Sequence, residues 1–352
     1  MELGGLRKKI DRIDSEMVLL LRERMELSLR TAKFKETITD EEREKSVMEN
    51  VRRFSGGLID PEFSSKMFAE IISESKRVQE KRLKLVGFQG EHGAYGHLAS
   101  YSYDGNFVPV PCAEFMEVFE GVKKGWFDFG IVPVENSLEG AVTEVNDLLI
   151  EEDLTIAGEV KLPIHHCFLA LHDTHFEEIK IAYSHPQALA QCRGFLLKNG
   201  LEARPYFDTA GAAKMLSRTR PKAAGAIASK LCVELYDLTI AEEGIEDNKS
   251  NMTRFAVISN EKNREAGNKC SIVFSTKHKP GALSDVLQLF SEENVNLTRI
   301  ESRPMKGNPG HYTFLLDFQG SDRNERIQNL LREVQKKTIL FKFLGCYKEA
   351  SP

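Results

Sequence analysis

The sequence predicts a multidomain protein: an all-α helical bundle over residues 1–82, a two-lobed α/β domain over 84–260, and an α+β, ferredoxin-like domain over 269–349. Three observations predict it. Apolar residues spaced by three and four run through the first 34 positions. At Leu83 this pattern gives way to short apolar strands alternating with helices. After a polar linker, 261–268, the order becomes β-α-β-β-α-β. A chain of 352 residues has room for three domains of ordinary size.

In the first region the stripe is Leu6, Ile10, Ile13, Met17, Leu20, Leu27, Thr31 and Phe34, with one seven-residue step across position 24. A helix of ~30 residues needs something to cover such a stripe, which predicts a homodimer or a dimer of dimers. Thr39 or Asp40 caps a second helix that runs to Phe54 and ends at Ser55-Gly56-Gly57. Asp60-Pro61-Glu62 opens a third. Arg24 stands where the stripe calls for a hydrophobe, and Lys35, eleven residues on, points to the same side. Asp40, Arg43 and Glu44 share one face of the second helix, and Ser75 and Gln79 one face of the third. Two readings fit: a hairpin with solvated, salt-bridged faces, or a bundle core that grips a small polyanion.

The α/β region opens with the apolar run Leu85-Val86-Gly87-Phe88 and a Gly-rich turn from Gln89 to Gly96. Strands are expected at 129–134, 180–183 and 223–228, and helices at 140–150, 186–198 and 230–236. The last domain should carry strands at 270–276, 296–304, 311–318 and 340–347 and helices at 282–293 and 323–336. Three strand ends are polar: Glu135-Asn136-Ser137, Ser184-His185-Pro186-Gln187 before a helix with Gln191 and Cys192, and the turn 248–252 before Thr253-Arg254-Phe255. One reading is capping, with Ser137 and Ser184 as N-caps and Pro186 in the first turn. The other is a cleft whose backbone N–H groups and side-chain donors receive a carboxylate.

Composition narrows the classes. Hydrophobic residues are 41% and charged residues 29%, enough for real cores and for solubility. A net charge of -5 lacks the basic field of a nucleic-acid binder. The six cysteines form no C-x-x-C pair and read as reduced thiols, with Cys192 buried rather than reactive. No apolar run reaches the ~20 residues of a membrane span. The start of the chain has no apolar signal core, so a cytoplasmic protein is expected. His165-His166 lacks companion ligands, and no metal is expected.

The segment Leu6-Arg7-Lys8-Lys9-Ile10-Asp11-Arg12-Ile13-Asp14, with Glu23-Arg24, Lys35, Asp40-x-x-Arg43-Glu44 and Ser75-x-x-x-Gln79, resembles the all-helical, intertwined-dimer chorismate mutases. The resemblance implies that Arg24, Lys35, Arg43, Glu44, Ser75 and Gln79, joined by Asp40, line one pocket, with Arg7 entering from the other protomer. Chorismate, a dianion, rearranges there by a concerted pericyclic step. The enzyme holds the compact conformer and stabilises charge on the breaking ether oxygen. Lys35 and Gln79 would donate to that oxygen, and Glu44 would assist at the ring hydroxyl.

From 84 to 260, Gly90-x-x-Gly93-Ala94-Tyr95, Val132-Pro133-Val134-Glu135-Asn136-Ser137, His166-Cys167, Ser184-His185-Pro186-Gln187 and Asn251-Met252-Thr253-Arg254-Phe255 resemble the prephenate dehydratases. That implies a two-lobed, periplasmic-binding-protein-like domain with Asn136, Ser184, Gln191, Thr253 and Arg254 in its cleft. Prephenate loses carbon dioxide and its ring hydroxyl, giving phenylpyruvate. Thr253 would donate to the leaving oxygen with electrostatic help from Arg254, and Glu135 is a second candidate acid. No cofactor or metal is implied. Ala94 and Gly96 stand where many relatives have Thr and Ser; a similar alanine-bearing turn occurs in arogenate dehydratases, so arogenate is an alternative substrate. A non-catalytic amino-acid sensor is a further alternative. Pro280-Gly281-Ala282-Leu283 and Glu301-Ser302-Arg303-Pro304 resemble phenylalanine-binding ACT domains. Gly281, Ala282, Leu283, Glu301, Ser302 and Arg303 would then hold phenylalanine as effector between paired domains.

Overall fold

The computed structural model describes residues 3–35, 37–263, 265–305 and 311–350; the Lys8 side chain and Arg264 of the expected linker lie outside the described residues. The chain divides into two compact units, Met1–Leu85 with Asn106–Val108, and Val86–Gly105 with Pro109–Pro352.

The first unit consists of the helices Leu3–Ala32, Glu41–Phe54 and Pro61–Glu80. Asp40, not Thr39, caps the second, its carboxylate accepting from Arg43 N at 3.0 Å. Asp60 caps the third in the same way, with Pro61 in its first turn. The long helix stops at Ala32, where Lys33 N and Phe34 N bond back to Arg30 O and Thr31 O. Lys35, three residues past the helix end, is therefore placed by the following turn rather than by an unbroken helix from Arg24. Within the chain, Leu6, Ile10, Ile13, Met17 and Leu20 stay 43–60% exposed, an apolar face with no cover from its own protomer.

The second unit holds three sheets. The first has the order Val108–Cys112, Leu85–Gln89, Phe129–Asn136, Met252–Ser259, Thr155–Pro163. Leu85–Gln89 runs parallel to Phe129–Asn136, whereas Met252–Ser259 is antiparallel to both its neighbours. The second sheet has the order Thr239–Glu243, Cys167–Ala170, Ala224–Ala228, Ile181–Ser184, Glu202–Pro205. The chain crosses between these lobes at 164–166 and again at 244–251, and the cleft lies at those crossings. The third sheet, Leu297–Pro304, Tyr312–Gln319, Lys269–Ser275, Leu340–Tyr347, is covered by Ala282–Glu292 and Glu325–Lys337, whose Phe290 and Val334 share one core with Phe274 and Phe318 of the strands. Its strand Leu340–Tyr347 lies against Thr155–Pro163 of the first lobe. Gly345 makes that approach feasible: at φ +146, a Cβ there would sit 2.4 Å from Ile156 O.

Two expected helices differ. The one at 140–150 begins only at Thr143, because Gly140–Ala141 pairs as a short strand with Glu135 and Asn136. The one at 186–198 breaks at Cys192 into Pro186–Gln191 and Arg193–Lys198. There Asp247 N bonds Gln191 O at 2.8 Å, and the Asp247 carboxylate accepts from Gly194 N at 3.0 Å, so a crossing loop interrupts the helix. Among the described residues no helix is long and apolar enough to cross a membrane.

Candidate active sites

The helical unit encloses a cavity of ≈ 270 Å³. Arg24, Ser28 and Thr31 line it from the first helix, Arg43, Glu44 and Val47 from the second, and Ile72, Ser75, Lys76 and Gln79 from the third. Each set repeats the three-and-four spacing of one helix face. Lys35 and Asp40 close the end, 3.4 Å apart. Arg24 Nη1 donates to Ser75 Oγ at 2.6 Å, and burial, then the neighbouring Arg43, lowers the guanidinium's pKa. Cations crowded together without an equal number of anions define a site for a polyanion.

Two details modify the expectations. Gln79 Nε2 donates to Ser28 O at 2.7 Å and to Ser28 Oγ at 2.6 Å, so its donors are committed and its buried Oε1 is left without a partner. Gln79 therefore presents an acceptor, not the expected donor. Lys76, which the sequence reading passed over, pairs with Glu44 at 2.7 Å and lines the cavity; its place between Ile72, Ser75 and Gln79 was the available signal. Arg7 lies seventeen residues before Arg24, or ~26 Å along the helix, and is outside its own chain's pocket.

The interlobe cleft is a cavity of ≈ 370 Å³. Asn136, Gln191 and Thr253 line it together, as expected, along with Tyr95, His166 and Asn251. Gly90 and Gly93, at φ +106 and +94, turn the chain so that the helix Tyr95–Tyr103 starts at the cleft wall. Asn136 Oδ1 accepts from Leu138 N at 2.9 Å and Glu139 N at 3.1 Å. Its Nδ2 donates to Thr253 Oγ1 at 2.9 Å and Asn251 Oδ1 at 2.8 Å. Asn251 Nδ2 donates to Gln191 Oε1 at 3.2 Å, and His166 Nε2 stands 3.0 Å from the same oxygen. Tyr95 Oη lies 2.8 Å from His166 Nδ1. Burial pushes His166 down, only partly offset by Gln191 and Glu246, and pushes Tyr95 well up, so both are neutral near pH 7. Asp208, also at the wall, caps the helix Thr209–Thr219 and accepts from Glu91 N at 2.9 Å. Among the described residues lining this cleft there is no Lys or Arg.

Two predicted cleft residues, Ser184 and Arg254, are elsewhere, as are the candidate cap Ser137 and the candidate acid Glu135. Ser184 is fully buried and donates to Ile227 O at 2.6 Å; the residue capping that helix is His185. Ser137 accepts from Met252 N at 2.9 Å and ties two strand ends together. Arg254 and Glu135 follow from strand alternation: Thr253 and Asn136 face the cleft, so their chain neighbours face the other way. There Arg254 reaches three carboxylates, Glu135 at 2.6 Å, Glu159 at 3.0 Å and Asp317 of the C-terminal domain at 2.8 Å. Arg299 adds a contact to Glu135 at 3.3 Å and Lys269 one to Glu159 at 2.9 Å. Arg254 is thus an interdomain tie and not an electrostatic assistant in the cleft. His165 contacts Glu246 at 3.0 Å, and Cys192 is fully buried with its thiol pushed up by burial.

In the C-terminal domain Gly281, at φ +83, precedes the helix Ala282–Glu292, in which Ala282 is buried and Leu283 half-buried. Glu301, Ser302 and Arg303 lie on the edge strand, separated from Lys269–Ser275 and its Gly281 turn by Tyr312–Gln319. Arg303 is bound to Asp147 of the first lobe at 2.7 Å, and Arg299 donates to the adjacent Asn146 at 2.8 Å.

The family model for chorismate mutase type II matches residues 6–80, that for prephenate dehydratase residues 86–263, and that for the ACT domain residues 271–335. The bifunctional chorismate mutase/prephenate dehydratase of Aquifex aeolicus is 37% identical over 99% of this chain and 98% of its own. The arogenate dehydratase/prephenate dehydratase 2 of Arabidopsis thaliana is 38% identical over 82% of this chain and 78% of its own. The solved prephenate dehydratase of Arthrobacter aurescens, in complex with L-Phe, aligns at a TM-score of 0.69 and 30% identity, covering 75% of this chain and 89% of that one.

Proposed function

Because the chain belongs to the bifunctional chorismate mutase/prephenate dehydratases, we propose that its helical pocket and its interlobe cleft are the two active sites of one enzyme of phenylalanine biosynthesis. In the first, Arg24, Arg43 and Lys76 receive the carboxylates of chorismate, and Lys35, 3.4 Å from Asp40, donates to the breaking ether oxygen. Ser75 steadies Arg24, while the open Oε1 of Gln79 accepts from the substrate. The exposed apolar face of the first helix is covered by a second copy, which brings Arg7 to the pocket.

In the second site prephenate loses its ring carboxylate as carbon dioxide, the released electron pair enters the ring, and the ring carbon–oxygen bond breaks. The departing oxygen takes a proton through the Thr253 hydroxyl, whose hydrogen is replaced from solvent, and leaves as water. The observation that carries this assignment is Thr253: its Oγ1 accepts from Asn136 Nδ2 at 2.9 Å, which leaves its own hydrogen to point at the leaving oxygen. The carboxylates meet neutral donors, Gln191 and the N-terminal end of Tyr95–Tyr103, in place of cations. Because the helical site makes prephenate, prephenate is the substrate delivered to the cleft.

Phenylalanine acts as effector at Gly281–Leu283 and Glu301–Arg303, bridging two copies of the ACT domain. Any shift of the edge strand pulls on Arg299 and Arg303, hence on Glu135 and Asp147; Glu135 is one peptide unit from Asn136. Six buried cysteines, outside any disulfide among the described residues, suit a reducing cytoplasm. The test feeds the purified chain chorismate, prephenate or arogenate. Chorismate and prephenate should both give phenylpyruvate, with phenylalanine slowing the dehydratase and sparing the mutase. Turnover of arogenate alone would refute the assignment of the cleft.

A further inference from the structure

The polarity of the cleft's hydrogen bonds propagates from one fixed point. Leu138 N and Glu139 N can only donate, so Asn136 Oδ1 must be the oxygen and Nδ2 the donor to Asn251. That makes Asn251 Nδ2 the donor to Gln191 Oε1 at 3.2 Å. His166 Nε2, 3.0 Å from the same Oε1, must then carry a hydrogen. Nδ1 of the neutral ring is then the acceptor; the Tyr95 hydroxyl, 2.8 Å from it, also lies 2.7 Å from His165 O, so its single hydrogen is shared between Nδ1 and that carbonyl. With Oε1 held from two sides, the Gln191 NH2 has no protein partner among the described residues and faces the cavity.

On this geometry we propose that His166, backed by Tyr95, is a positioning residue of the dehydratase: it locks the Gln191 carboxamide with its NH2 toward the substrate. Without the His166 hydrogen, Gln191 is free to turn its oxygen inward, and an acceptor then opposes a dianion. Glu246 anchors the backbone at His166, accepting from its N–H at 3.0 Å, so the Cα from which the ring projects is fixed independently of Gln191. The role rests on the cleft being the dehydratase site.

The test is kinetic. His166→Leu lowers kcat/KM for prephenate about 10- to 100-fold, the range for one hydrogen bond to a charged group. His166→Gln restores an N–H donor at the same reach and returns kcat/KM to within about threefold of wild type. In a Gln191→Ala background, His166→Leu has no further effect, which a purely structural role would not produce. Chorismate turnover by the same proteins and the fluorescence of Trp126 verify folding. Undiminished activity in His166→Leu, failure of His166→Gln to rescue, or an undiminished loss in the Gln191→Ala background would overturn the proposal. A wild-type protein inert toward prephenate would instead overturn the cleft assignment, and this role with it.

Discussion

Thr253→Val lowers the dehydratase kcat about 100- to 1,000-fold and leaves the mutase unchanged. The magnitude is that of removing one preorganised donor from a site where charge develops on oxygen. Valine keeps the volume and the strand preference of threonine, so the sheet Phe129–Asn136, Met252–Ser259, Thr155–Pro163 is retained. What goes is the hydroxyl that Asn136 orients, 2.9 Å away. Phenylpyruvate formation from prephenate measures the loss, and chorismate consumption by the same preparation measures the control. A variant within threefold of wild-type kcat would remove Thr253 from the chemistry.

Asp317→Leu should have the largest effect on stability. Arg254, Arg299 and Lys269 face Glu135, Glu159 and Asp317 in a buried cluster between the first lobe and the C-terminal domain. Deleting one partner strands positive charge out of water, which typically costs about 3–5 kcal/mol. The pH dependence has a definite sign. Burial pushes the Asp317 carboxyl up, but Arg254, then Arg299, Ser271 and Lys269, more than offset this and hold it below the usual carboxylate range. A depressed folded-state pKa gives stability that is full above the unfolded value of ~3.9 and is lost as pH falls through the folded value. Urea unfolding read at Trp126, the chain's single tryptophan, should show the deficit at pH 7. The gap between variant and wild type should narrow in acid.

Much of this was legible in the sequence, and the exceptions have physical causes. Helix faces were readable because three-and-four spacing is a property of the chain: Arg24, Arg43, Glu44, Ser75 and Gln79 all reach one cavity. The direction of an amide was not, since Gln79's commitment to Ser28 depends on a partner fifty-one residues away. In the α/β region Asn136, Gln191 and Thr253 converge as expected. Arg254 was misplaced although the period of two was available: neighbours on a strand cannot share a face. Ser184 was misplaced because a strand-end serine looks the same whether it caps a helix, meets a ligand or bonds Ile227 O. The exposed edge strand Glu202–Pro205 has no apolar alternation to announce it. The break at Cys192 is set by Asp247, a distant residue in a crossing loop.

The central claim is that two separate pockets in one chain perform two consecutive reactions on small dianions. It is tested most directly by mixing two variants, Lys35→Ala, disabled in the helical pocket, and Thr253→Val, disabled in the cleft. Neither alone should convert chorismate to phenylpyruvate, Thr253→Val alone should accumulate prephenate, and the mixture should restore the full conversion. A mixture that stays inactive although both variants are folded, or a single change that abolishes both reactions, would contradict the account.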